Sequence, residues 1–321
     1  MNTIPSTFNA QQVRMTILGG MEEASLILMD VSCIVIKRTV NQYRGQVFRN
    51  LLACGFKKII SVETFNSAFN TESLSQDFPE VKFVRAHGRM SDGELVNLGM
   101  GLVESPYALV LHDDLCVQNF KFSRNLAQKL SEFKVFCVAA RLLNTDRQGI
   151  PVRFTPKVKN FVFDVESSLA VVDKALTLYP YDLAGFYDVN MFRMLGGFDY
   201  TIEASYWQEI DLFFRAWLWG EKIQLSSAFT LEFFDELPVS DHTANISYLQ
   251  FYLKNLLPDF RRDHGEISLL SFPSFKARSR CGLNEAFLLF SRARDWVKLN
   301  RFRFKTDAVS LLENWNKEGG V

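Results

Sequence analysis

Nowhere in this 321-residue sequence do about 18 apolar residues run together, so no segment reads as a membrane span. The opening stretch, MNTIPSTFNAQQ, is polar and lacks the basic-then-apolar pattern of a secretory signal. A cytoplasmic location is the expectation that follows. Charge of one sign is also missing: 36 basic residues face 36 acidic ones, which removes any bulk electrostatic case for nucleic acid. The five cysteines (Cys33, Cys54, Cys116, Cys137 and Cys281) form no CxxC pair, and four sit in apolar runs. Buried, reduced thiols are expected rather than disulfides or a zinc site. No GxGxxG or GxxxxGK[ST] loop occurs, so neither the dinucleotide-binding nor the P-loop way of holding phosphates is supported. Internal repeats and low-complexity tracts are absent too.

What is present suits a globular protein with a sizeable core. Hydrophobic residues make up 48% of the chain and charged residues 22%. The 30 phenylalanines are spread along the sequence, as core filling would be. Residues 1–29 have mixed patterning and read as an extension or an irregular first element. From Val31 the pattern becomes regular. VSCIVI (31–36) is a β-branched run suited to a strand buried on both faces, and KKIISV (57–62) and VKFV (81–84) follow as strands two and three. Ser91-Asp-Gly-Glu94 is a capping-box pattern opening a helix, and YALVL (107–111) is strand four. Strands alternating with helices at this spacing predict βαβ units and a parallel sheet.

Beyond Leu115 the reading loosens. A helix is expected around 120–131 and a strand at 135–140, whereas no element can be assigned to 151–180. Residues 208–219 form the best amphipathic helix, with Ile210, Phe213, Phe214, Trp217 and Leu218 on one face. A strand follows at 222–227, and from about residue 236 the pattern is mostly helical.

Ligands in open α/β sheets bind at the carboxyl ends of the strands. Glu63 ends strand two, and His112-Asp113-Asp114 ends strand four. Carboxylates in those places suit a hydroxyl contact and a divalent cation bridging to phosphates. They equally suit a strand-terminal turn, where Asp bonds to nearby backbone.

In their order, these segments resemble family-2 glycosyltransferases of the GT-A fold, rhamnosyltransferase-like members included, from about Val31 to Asn255. The resemblance implies that Glu63 contacts the nucleotide base and that Asn97 lies on the helix preceding a DxD-type motif. Here that motif reads His112-Asp113-Asp114, with His in the first position. Asp114 is then a direct ligand of Mn2+ or Mg2+, joined by His112, and Asp113 a nucleotide contact. LGGFDYTIEASYWQEIDLFFRAWLWGEKI (195–223) is similar to the family's acceptor-side signature, which makes Glu209 the catalytic base. Asp211 and Trp207 become acceptor-side residues. SDHTANISYLQFYLKN (240–255) resembles a further segment in which His242 is a third metal or diphosphate contact.

Each residue also has a plainer reading. Asp211 can pair with Arg215 at i,i+4 on a solvated face. Glu209 can be a first-turn charge meeting the helix dipole. Gly196-Gly197 can be a helix stop, Trp207 a core residue, and His242 a solvated loop residue.

The expected architecture is α/β: a GT-A fold with a Rossmann-like, mostly parallel sheet flanked by helices. It divides into an N-terminal extension (1–29), a GT-A domain (30–235) and a mostly helical C-terminal region (236–321). The implied activity is metal-assisted, inverting transfer of a sugar from a nucleotide-diphosphate donor to a glycan or lipid-linked glycan, in bacterial cell-surface polysaccharide synthesis. The rival is a non-catalytic nucleotide-sugar- or carbohydrate-binding protein on the same fold. A sugar-nucleotide nucleotidyltransferase fits less well, since KRTVNQYRG is a poor match for its glycine-rich loop. The segment SRARDWVKLNRFRFK (291–305) reads either as a basic face for a membrane surface or as a solvated helix packed by its aromatic residues.

Overall fold

The run VSCIVI does what β-branched residues do on a pleated surface: in the computed structural model it becomes the centre of a strand, β2 (Met29–Ile36), buried along nearly all its length. The structure describes residues 13–21, 29–38, 41–64, 70–117, 120–159, 162–169 and 172–318. Strand β1 (Met15–Gly19) precedes β2. After it come α1 (Arg44–Leu52), β3 (Phe56–Thr64), α2 (Thr71–Asp77), β4 (Val81–Ala86), α3 (Asp92–Gly101) and β5 (Tyr107–His112). The capping box at the start of α3 forms, with Ser91 and Glu94 satisfying each other's backbone donors. Next are α4 (Arg124–Ser131), β6 (Cys137–Leu143), the hairpin β7 (Arg153–Lys159) and β8 (Val162–Ser168), β9 (Gly185–Asp188), α5 (Val189–Leu195), α6 (Ser205–Leu218) and β10 (Ile223–Glu232).

Eight strands form one sheet in the order β1-β4-β3-β2-β5-β9-β6-β10. From β4 to β5 the pairing is parallel, as expected. Strand β9 then inserts antiparallel between β5 and β6, so the sheet as a whole is mixed. Part of the expected N-terminal extension belongs to this sheet. Residues 15–19 alternate between exposed and half-buried and pair antiparallel with β4 as an edge strand. Stretch 151–180 holds the β7–β8 hairpin, which stands outside the main sheet and turns Phe154 and Phe163 inward.

The C-terminal part is mostly helical: α7 (Ile246–Phe251), α8 (Phe272–Ser279), α9 (Leu283–Asn300) and α10 (Ala308–Glu318). Its aromatic residues seat it on α6, with Phe251 edge-on to Phe214, Trp315 edge-on to Trp217 and Trp296 stacked on Trp219. Among the described residues no helix is long and apolar enough to cross a membrane. Four cysteines are buried, Cys281 is half-buried, and all five are free thiols.

Candidate active site

Chain order reverses beside β2. Strands β2, β3 and β4 progress one way across the sheet, and β5 then lies on the other side of β2. Such a switch point opens a crevice at the carboxyl ends of the two central strands. Ile36 and His112 are register partners there, so the residues just after each meet. Arg38 comes from the first strand end, and Asp113 and Asp114 from the second.

They do meet, and tightly. The Arg38 backbone N–H donates to Asp113 Oδ1 at 2.7 Å, fixing the chain beyond β2. The Arg38 side chain donates to Asp114 Oδ2 at 3.0 Å. It also forks onto Asp182, Nη1 to Oδ2 at 2.7 Å and Nη2 to Oδ1 at 2.6 Å. His112 stands between two carboxylates: Nε2 is 3.2 Å from Asp92 Oδ2 and Nδ1 is 3.1 Å from Asp182 Oδ2. Burial alone would disfavour an imidazolium, but the charge and bonding of Asp182, then of Asp92, outweigh it and lift the His112 pKa to about 10. Asp182 moves the other way. Its burial is overcome by His112 and Arg38, and its carboxyl falls to about 2. Arg38, His112 and four carboxylates thus share one corner.

Asp182 sits in a strained turn. It has φ 55° and Leu183 has φ 60°, two successive non-glycine residues in the left-handed region. That turn brings the chain past Glu209 on α6. Glu209 is partly exposed as a residue, yet its Oε1 is buried without a hydrogen-bond partner among the described residues. Burial pushes its carboxyl well above the ordinary glutamate range, Asp182 adds to the rise, and the Leu183 backbone and His112 work against it. Sequence periodicity placed the helix start at 208, with Glu209 under the dipole's acid-strengthening influence. The helix begins at Ser205, because Tyr206 and Trp207 are buried with it. Glu209 therefore lies in the second turn, where the dipole is weaker and desolvation decides.

Arg38, Asp92, His112, Asp182 and Glu209 line a cleft of about 630 Å³ that also takes in Phe154, Tyr179, Tyr181, Tyr206 and His242, while Asp113 and Asp114 lie behind Arg38 outside its lining. Phe154 lies flat on Tyr179, ring centres 4.3 Å apart, giving one wall an aromatic face. Across the opening runs the segment 238–242, tied down by Tyr181 Oη donating to the Pro238 carbonyl at 3.0 Å.

The other expected site residues are placed elsewhere. Asn97 is buried and pairs with the Phe198 backbone twice, donating to its oxygen at 2.8 Å and accepting from its nitrogen at 2.9 Å. It clamps α3 to the Gly-Gly-Phe-Asp turn and has no face toward the cleft lining. Glu63 is buried among Arg44, Lys37 and the Thr71 hydroxyl. Asp211 does pair with Arg215, at 3.2 Å, but in the interior rather than on a solvated face. It also meets Lys254 and Asn255, and Lys254 in turn holds Asp199 at 2.7 Å. Arg215 donates to the carbonyls of Leu195 and Gly197, so this part of the signature holds up the turn in which Gly196 and Gly197 take positive φ. Trp207 is a core residue, stacked on Phe251, with Nε1 donating to the Thr243 carbonyl.

His112, Asp114 and His242, the three residues expected to hold a divalent cation, are not gathered into one metal site in this structure. Both ring nitrogens of His112 face carboxylates. His242 is stacked on Tyr206, centres 3.8 Å apart. Asp114 Oδ2 is engaged by Arg38, leaving only its buried Oδ1 open among the described residues. Among those residues no group of three or more His, Cys, Asp or Glu is arranged as a metal site. The functional side chains that sequence reasoning missed are Arg38, Asp92, Asp182, Tyr179, Tyr181 and Phe154. Arg38 had a usable signal, its place just past the end of a central strand.

No protein-family model matches this chain, and no curated protein matches it by sequence. Solved structures do match. GalNAc-T7, solved with UDP, GalNAc and Mn2+, superposes over 93% of this chain with TM-score 0.52 and 10% identity. This chain spans about 59% of the length of that protein. The bifunctional IspDF from Campylobacter jejuni aligns over 61% of this chain and 49% of its own, at 14% identity and a TM-score of 0.35 that carries no weight. The likeness to GalNAc-T7 speaks for architecture, and the architecture of this chain is the α/β fold of GT-A glycosyltransferases.

Proposed function

We propose that this protein transfers a sugar from a nucleotide-diphosphate donor to a hydroxyl of a glycan or lipid-linked glycan acceptor, with inversion. The observation that carries this reading is the cleft itself. At the switch point of a GT-A sheet it joins a corner that holds the Arg38 fork and His112, an aromatic wall and the Glu209 carboxyl, whose buried Oε1 has no hydrogen-bond partner among the described residues. Once ionised, a buried carboxylate with a raised pKa is the stronger base for taking a proton from an acceptor hydroxyl as its oxygen attacks the anomeric carbon, so transfer is expected to rise with pH as Glu209 ionises. The flat face of Phe154 and Tyr179 is suited to a sugar ring or base. Segment 238–242 lines the cleft and opens the region 236–321, which we read as acceptor-facing beside a GT-A domain of 30–235 whose sheet is extended by β1. Exposed Leu299 and Phe302 between basic residues of 291–305 support contact with a membrane surface and a lipid-linked acceptor in cell-surface polysaccharide synthesis.

A donor screen tests the proposal: binding and turnover of UDP-, GDP- and dTDP-sugars with Mn2+ and with EDTA. Glu209→Gln is expected to keep donor binding and lose transfer by about 100-fold or more, the usual share of a general base. Unchanged turnover removes Glu209 from that role, and the absence of any bound nucleotide sugar removes the transferase reading. Retained donor binding with no turnover in the wild type selects the non-catalytic alternative, which the engaged state of Asp114 and His112 also favours.

A further inference from the structure

We propose that the Arg38 guanidinium, with His112 beside it, forms a seat for a diphosphate, and that Asp182 occupies this seat in the free protein. The geometry of Asp182 is that of a phosphate stand-in. The Arg38 fork grips both its carboxylate oxygens at 2.7 and 2.6 Å, the arrangement by which arginine holds carboxylate and phosphate alike. His112 Nδ1 approaches the same carboxylate at 3.1 Å. Two cations converge on one small anion, within a cleft large enough for a nucleotide sugar.

Each cation has an anchor of its own besides Asp182. Arg38 is held by Asp114 at 3.0 Å, and His112 by Asp92 at 3.2 Å. Withdrawal of Asp182 therefore leaves both cations in place and facing the cleft. The turn that presents Asp182 is the segment poised to move, since Asp182 and Leu183 both hold positive φ without being glycine. Left-handed backbone at a non-glycine residue is strained, and its release favours displacement. A diphosphate entering the seat takes over the Arg38 fork, and the turn relaxes. Charge on a departing diphosphate is then met by a guanidinium and an imidazolium, where the family resemblance implied a metal ion. Naming the diphosphate as part of a nucleotide sugar rests on the function proposed above; the anion seat does not.

Titration calorimetry in EDTA with inorganic pyrophosphate, and separately with UDP, tests the seat in the wild type, Asp182→Asn and Arg38→Met. Asparagine tolerates the left-handed backbone and removes only the charge. The expected results are binding of both probes without metal, affinity about tenfold tighter in Asp182→Asn, and loss of binding in Arg38→Met. A gain of affinity cannot arise from a variant that fails to fold. Equal or weaker binding by Asp182→Asn overturns the proposal, as does pyrophosphate binding that appears only with Mn2+. Arg38-dependent pyrophosphate binding without any nucleotide-sugar binding keeps the seat and removes the transferase reading. Metal-dependent nucleotide-sugar turnover with Asp182→Asn weakened does the reverse.

Discussion

Replacing Glu209 by glutamine is expected to stabilise the protein increasingly as pH rises, even as it removes the proposed base. The Glu209 carboxyl is pushed up by burial and by Asp182, so the folded state holds its proton more tightly than the unfolded chain does. In the unfolded chain a glutamate titrates near about 4.3. Below that value the favourable contribution is fully present. As pH rises above it, the unfolded state gains ionisation energy that the fold does not, and stability falls by about 1.4 kcal/mol per pH unit until the folded-state pKa is passed. Glutamine has nothing to ionise, and its amide oxygen can still accept from the Leu183 backbone. The stability difference between variant and wild type is therefore expected to widen steadily as pH rises from 5 to 7. Urea unfolding of both proteins at half-unit pH steps measures it directly. Titrations shared by the two proteins cancel in the difference. Parallel stability curves across that window would show that the Glu209 carboxyl is not held protonated, and the reasoning from its burial would fail.

Two further outcomes follow from the interior. Lys254→Met removes the cation between Asp199 and Asp211 and leaves buried carboxylates short of a partner, an expected loss of about 3–5 kcal/mol by chemical denaturation; a loss below about 1 kcal/mol would mean that Arg215, Asn255 and water suffice. Gly93→Ala sets a Cβ 2.4 Å from Gln208 Oε1 and 2.9 Å from the Phe198 ring, so α3 must move off α6 at an expected cost of about 1–3 kcal/mol. An unchanged thermal midpoint would show that Gln208 yields freely.

The parts of this fold legible in the sequence are those whose cause is local. The β-branched run of β2, the alternation of strands and helices to β5 and the capping box at Ser91 each write their structure into neighbouring residues. The place of His112, Asp113 and Asp114 at a strand end followed from the same logic, and so did Glu209 on an amphipathic helix. What each carboxylate meets is a different matter. Asn97 binds a backbone 101 positions away, and no spacing within its own helix displays that partner. Asp182 lies in PYDLAG, which has no period to read, and the hairpin carrying Phe154 breaks the βαβ rhythm by standing outside the main sheet. Family likeness ranked Asp211 and Asn97 as contacts for ligands, whereas the interior needed them to hold the Gly196–Gly197 turn.

Arg38 and Asp182 stand 144 positions apart, and their ion pair ties the first half of the central sheet to the turn before β9. A contact of such separation carries a large loop-closure entropy and is formed late by a folding chain. The anion-binding corner is therefore an assembly whose members arrive from opposite ends of the topology. A chain halted with β2 to β5 built but β9 not yet inserted would have Arg38 and His112 without Asp182, with the Arg38 fork left unfilled. By arriving last, the carboxylate of Asp182 fills that fork, and on the reading proposed above it stays there until a better anion enters.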